Sequence, residues 1–124
     1  MRKLLIIGAG GYGRTVADVA QQLGYYDKIA FLDDVKAGQQ GVLGNCDEVY
    51  SFADETTEVY PAFGNNEVRM SWLARLLANG ITIPTLVHRD AYVSPGAIVK
   101  AENRIPAGSK IESGMVIENR EYPL

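Results

Sequence analysis

The apolar positions of this chain follow three rhythms. At residues 3–7, Lys-Leu-Leu-Ile-Ile, they run almost unbroken, as in a strand buried on both faces. Beyond a glycine cluster, Val16, Val19, Ala20 and Leu23 recur at helical spacing, and Gly24 is placed to end that helix. Residues 28–32, Lys-Ile-Ala-Phe-Leu, read as a second buried strand closed by Asp33 and Asp34. Strand, helix and strand make one βαβ unit of about thirty residues, the expected size.

Residues 35–47 hold Gly38, Gly41 and Gly44 with little periodicity and read as a loop, with Val42, Leu43 and Gly44 placed to touch a ligand across the strand tips. Residues 58–63, Glu-Val-Tyr-Pro-Ala-Phe, read as another strand. Pro61 lacks an N–H, which places it at an edge or near a strand start. Asn65 or Asn66 is a good N-cap for the helix that follows. That helix carries Val68, Trp72, Leu73, Leu76 and Leu77 on one stripe, with Trp72 read as a core anchor, and Asn79-Gly80 terminates it. Residues 81–84, Ile-Thr-Ile-Pro, read as a last short strand.

The third rhythm begins at Ala91. Val93, Val99, Ile105, Ile111 and Ile117 recur every six residues, with Gly96, Gly108 and Gly114 three places later in their repeats. Neither a helix nor an ordinary strand has that period. One buried β-branched residue per hexapeptide marks a parallel β-helix; a pair of irregular hairpins is the plainer alternative. At three hexapeptides per coil, five positions make less than two coils. Such a stub is expected to pack on the first unit or on a neighbouring copy. The expected division is 1–87 and 88–124.

Composition narrows the function. The chain has 124 residues, 47% apolar and 22% charged, with net charge −3. These are globular values without the basic footprint of a nucleic-acid binder. An anionic ligand would have to be held by local N–H groups. One cysteine, no signal peptide and no apolar run of membrane length suggest a cytoplasmic protein with no membrane partner. Cys46 has no histidine near it in sequence, and His88 is the only histidine. No nucleophile–base pair and no metal-ligand cluster is evident, so no catalytic and no metal residue is assigned.

The candidate chemistry lies in the glycine cluster. Gly8, Gly10 and Gly13 give G-x-G-x-x-G between a strand and a helix, with Gly11 and Tyr12 inside the loop. Asp33 follows Gly13 by 20 residues, at the end of the second strand, where an acid usually meets a ribose hydroxyl. Together these favour a nucleotide cleft at the strand tips. The plainer reading is that the glycines permit a tight turn and the aspartates cap a loop.

These stretches resemble the bacterial sugar O- and N-acyltransferases of the sialic-acid O-acetyltransferase and bacillosamine-pathway type (NeuD/PglD-like). The matching residues are 4–13, 29–34, 41–44, 62–69 and 88–97. The resemblance implies an α/β fold, a small Rossmann-like parallel sheet with flanking helices, followed by a short left-handed parallel β-helix. It implies that Gly8, Gly10, Gly11, Tyr12 and Gly13 lie against a diphosphate or sugar. Asp33, Asp34 and Lys36 would sit by the nucleoside, and Gly44, Gly64 and Asn65 would line the same cleft. Tyr12 departs from a position where the family often has histidine. The ligand implied is a nucleotide-activated sugar, UDP-linked by preference, and the assembly a homo-oligomer, trimeric if the β-helices pack as in the family. Acetyl-CoA is implied as a cofactor only if acyl transfer is retained. The family's general-base histidine stands on later coils that the chain is expected to lack, and His88 matches a linker position instead.

The favoured expectation is therefore a nucleotide-sugar-binding protein related to acyltransferases, without the catalytic half. An active acetyl-CoA-dependent acetyltransferase with a short intersubunit β-helix is the alternative. A small NAD-binding Rossmann protein and a purely structural role are two further readings.

Overall fold

A computed structural model describes residues 2–87 except Ala37, and beyond them the backbone of five two-residue strands. Four strands form one sheet: β1 (Lys3–Ile7), β2 (Lys28–Leu32), β3 (Val42–Gly44) and β4 (Thr57–Pro61), in the order β3-β2-β1-β4, all parallel. Helix α1 (Gly11–Leu23) connects β1 to β2, α2 (Val49–Phe52) lies between β3 and β4, and α3 (Asn66–Ala78) follows β4.

The strand period of two assigns β1 to both layers. Leu4 and Ile6 join Val16, Val19 and Ala20 of α1, together with Phe31 and Tyr60. Leu5 and Ile7 face the other way, into Val49, Trp72, Leu73 and Leu76 of the remaining helices. The unbroken apolar run thus has its cause: β1 is central and covered on both faces. Trp72 is a core residue, as its spacing implies.

Several elements differ from the sequence reading. The strand expected at 58–63 is Thr57–Pro61, with Pro61 as its last residue. Ala62 still donates to the Ile7 carbonyl at 2.8 Å before the chain turns away. The supposed loop at 35–47 contains β3 and a 3₁₀ turn, Cys46–Glu48, closed by reciprocal bonds between Asn45 and Glu48. Three residues, the last of them a glycine, are too few to show a strand period. The strand expected at 81–84 is a single parallel bridge, Thr82 to Glu58. Helix α1 starts at Gly11, inside the glycine cluster. On α3, Val68 and Leu77 are 41% and 54% exposed, while Arg69 is 4% exposed. The buried arc is 69, 72, 73, 76, turned from the expected stripe.

Six short strands follow: β5 (Leu86–Val87), β6 (Tyr92–Val93), β7 (Ile98–Val99), β8 (Arg104–Ile105), β9 (Lys110–Ile111) and β10 (Val116–Ile117). They pair in parallel as β5·β8, β6·β9 and β7·β10, each partner eighteen positions away. The series therefore opens at Leu86–Val87, one repeat before Val93. Leu86 is buried in the same cluster as Leu4, Ile6 and Val16, so β5 is tied by its side chain to the sheet core and by its backbone to β8.

Candidate functional site

The chain runs β1, β2, β3 outward in one direction and then returns to place β4 on the far side of β1. That reversal opens a crevice at the carboxyl ends of β1 and β4, the place where open parallel sheets hold ligands. A cleft of about 500 Å³ lies there. It is bordered by Gly8, Gly10, Gly11 and Tyr12 after β1, by Asp33, Val35 and Lys36 after β2, and by Ala62, Phe63 and Gly64 after β4.

The glycine loop has two kinds of glycine. Gly8 holds φ +106°, and a Cβ there would lie 2.8 Å from the Ala62 carbonyl oxygen. A Cβ on Gly13 would lie 1.9 Å from the Gly8 carbonyl oxygen, so its bareness lets α1 close onto β1. Gly10 and Gly11 have nothing within 4 Å of where a Cβ would stand, and they face the cleft. Gly10 is the N-cap of α1 and supplies no side-chain cap. First-turn N–H groups of a helix have no carbonyl one turn back, and a helix start carries roughly half a unit of positive charge. The cleft floor is thus suited to an anion such as a phosphate, independent of the chain's negative net charge.

Two aromatic rings flank this floor. Tyr12 packs against the α1-side core and Phe63 against the α3-side core, and each keeps an edge on the cleft. Val35, 90% exposed, stands at the rim. Behind Phe63, the buried Arg69 donates to the Phe63 carbonyl at 3.1 Å.

Asp33 closes the β2 side. Its carboxylate accepts from the N–H groups of Ala9, Val35 and Lys36, each at 2.8 Å. Partial burial alone would raise its pKa. The N–H donors of Ala9, Lys36 and Val35, with the Lys36 charge, outweigh it and hold the carboxyl below the ordinary carboxylate value.

The structure brings Gly8, Gly10, Gly11, Tyr12, Asp33, Lys36 and Gly64 to one cleft. Four other expected residues do not border it. Gly13 packs beneath, against Gly8. Asp34 accepts from the Cys46 N–H at 2.9 Å and anchors the 3₁₀ turn. Gly44 faces the Glu48 carboxylate. Asn65 caps α3 by accepting from the Val68 N–H at 3.0 Å. Each serves the backbone that shapes the site, which a motif spacing does not distinguish from contact. Phe63, Ala62 and Val35 were not expected; strand-end residues beside a matched glycine were the available signal. Arg69 was also missed, though it lies on the same helical arc as residues 72, 73 and 76.

Cys46 is buried, and burial followed by the Asp34 charge pushes its thiol up to about 12, so it is no nucleophile at neutral pH. His88 lies outside the described residues. Among the described residues no group of three or more metal-ligating side chains occurs. Nor is any helix among them long and apolar enough to cross a membrane.

A parallel sheet with a glycine loop at its reversal point defines a small Rossmann-like α/β unit. Residues 3–76 match the PglD N-terminal domain, and the chain belongs to that NeuD/PglD-like family. The acetyltransferase domain of PglB from Neisseria gonorrhoeae FA1090 is similar at 38% identity and TM-score 0.88, over 94% of this chain and 58% of that one. A structure of that domain in complex with acetyl coenzyme A gives 38% and 0.89, over 95% and 59%. PerB from Caulobacter crescentus, in complex with CoA and GDP-perosamine, shares the fold at 22% identity and TM-score 0.82, over 94% and 56%. The chain thus spans under two thirds of the length of these relatives.

Proposed function

We propose that the cleft binds a nucleotide-activated sugar, with the diphosphate over Gly10 and Gly11 at the start of α1. Lys36 adds a positive charge beside it, and Tyr12, Phe63 and Gly64 form the walls. The observation that carries this reading is the cleft itself, at the one place where the strand order reverses, floored by an uncapped helix start. The GDP-perosamine complex of PerB supports the ligand class. Uridine is the preferred base by the family resemblance. The single-cysteine chain fits the cytoplasm, where thiols stay reduced.

The test is a thermal-shift series with UDP- and GDP-linked amino sugars, acetyl-CoA and NAD. A nucleotide sugar at about one hundred times its Kd adds about 2.7 kcal/mol, a rise of several degrees in Tm for a domain of this size. A series in which no nucleotide sugar moves Tm contradicts the proposal, and a response to NAD alone favours the NAD-binding reading.

A second reading, acetyl transfer from acetyl-CoA, is favoured by the PglB complex. The eighteen-residue parallel pairing of β5 to β10 supports a left-handed β-helix of three two-residue strands per coil. The family resemblance implies that such helices would pack as trimers with acetyl-CoA between subunits. The residues that would hold it fall outside those described, so no chemical step is assigned to this chain's side chains. Release of free CoA with a nucleotide amino sugar as acceptor is the deciding assay, and sedimentation of a trimer the assembly test.

A further inference from the structure

Asp33 is the densest polar junction at the cleft. Its Oδ2 accepts from Ala9 in the glycine loop, and its Oδ1 accepts from both Val35 and Lys36 in the turn after β2. A carboxylate offers about four acceptor positions, so three are already turned onto backbone. Around it the backbone is further tied: Gly8 donates to the Leu32 carbonyl at 2.7 Å, and Asp33 donates to the Gly44 carbonyl at 3.0 Å. In dinucleotide folds an acid at the end of the second strand faces the ribose hydroxyls. Here the acid at the same position borders the cleft but spends its carboxylate on joining the glycine loop to the adjacent β2 turn.

We propose that Asp33 is a positioning residue that clasps the glycine loop to the β2 turn, and that it does not read the ribose. The inference rests on the nucleotide reading of the cleft. Its consequence for specificity is that the phosphates and the sugar are recognised, while ribose and 2′-deoxyribose forms are accepted alike at this position.

The experiment measures calorimetric affinities of UDP, GDP and their 2′-deoxy forms for the wild-type chain and for Asp33→Asn. The amide of asparagine keeps one acceptor oxygen and turns an NH₂ toward a backbone donor. Wild-type affinities for ribose and deoxyribose forms are expected to agree within about threefold. Asp33→Asn is expected to weaken both by the same factor, about tenfold, the effect of a lost charge-assisted bond. A wild-type ribose preference of about tenfold or more that disappears in Asp33→Asn overturns the proposal. So does unchanged affinity in the variant. If Asp33→Asn does not fold, the wild-type comparison decides alone: equal affinities support the clasp and a tenfold ribose preference overturns it. If neither nucleotide binds the wild type, the proposed function falls instead. The clasp is then judged by amide exchange of Ala9, Val35 and Lys36, which should quicken at least about tenfold in the variant; unchanged exchange overturns it.

Discussion

Two cavities of similar size sit at opposite ends of the sheet. One is the cleft of about 500 Å³ at the carboxyl ends of β1, β2 and β4. The other, about 450 Å³, lies at the amino end of β4 and is lined by Tyr50, Asp54, Thr57, Gly80 and Thr82 among others. Each has an aspartate that gathers donors. Asp33 takes three backbone N–H groups from two loops. Asp54 takes Lys3 Nζ at 2.8 Å, the Thr56 N–H and hydroxyl, and the Thr57 hydroxyl. The difference is in what converges. The cleft collects the tips of three strands and the bare start of a helix. The other cavity collects the short helix α2, the turn after it and the chain beyond α3, with no glycine loop. Volume does not separate the two cavities; the reversal of strand order does.

The contrast can be broken or sharpened by experiment. The largest effect is expected inside the glycine loop. Gly13→Ala drives a methyl into the Gly8 carbonyl and should cost about 3 kcal/mol or more, lowering Tm by more than about 10 °C. Gly10→Ala, with open space around it, should stay within about 1 kcal/mol of wild type. Equal melting curves for the two variants would remove the distinction between packing and ligand-facing glycines.

Leu86→Ala tests the attachment of β5 to the sheet core, where Leu86 is 1% exposed. A loss of about 3 kcal/mol is expected, seen in chemical denaturation, and a loss under about 1 kcal/mol would detach the tail from the core. Gly10→Val then addresses binding alone. Nucleotide-sugar affinity should fall about tenfold or more with stability nearly kept; an unchanged Kd would make the loop a mere turn.

The smallest effect is in pH dependence. Asp33 and Asp54 both have lowered carboxyl pKa values, Asp54 chiefly through the Lys3 ammonium and then the Thr56 and Thr57 donors. A folded carboxyl below its unfolded value stabilises above that unfolded value, about 3.9. The contribution is lost as pH falls below it. Stability should therefore drop below about pH 4, and Asp33→Asn and Asp54→Asn should each flatten that acid limb. Lys3 and Asp54 form an exposed pair, so at neutral pH Asp54→Asn should shift Tm less than Leu86→Ala does.

Much of this was legible from residue order. The unbroken run at β1 announced a strand covered on both faces, and the glycine spacing announced a tight strand-to-helix turn. What failed to show had physical causes. Val42, Leu43 and Gly44 are too few to reveal a period, so β3 read as loop. Val68 and Leu77 extend an apolar stripe in sequence but face outward. The interior arc is instead continued by Arg69, whose charge is met by a carbonyl that only the folded chain supplies. Asp33 stood where a ribose acceptor belongs, yet hydrogen bonds between segments 24 positions apart decide what its carboxylate faces. Position is written in the spacing; direction is not.

The most direct measurement is a titration of the isotope-labelled chain with UDP- and GDP-linked amino sugars, followed by backbone amide shifts. A ligand in the cleft should move Gly10, Gly11, Tyr12, Lys36 and Gly64 together, and leave Tyr50, Thr57, Gly80 and Thr82 still. Saturable shifts confined to the second set, or none in the first, would contradict the assignment of the strand-reversal cleft as the nucleotide-sugar site.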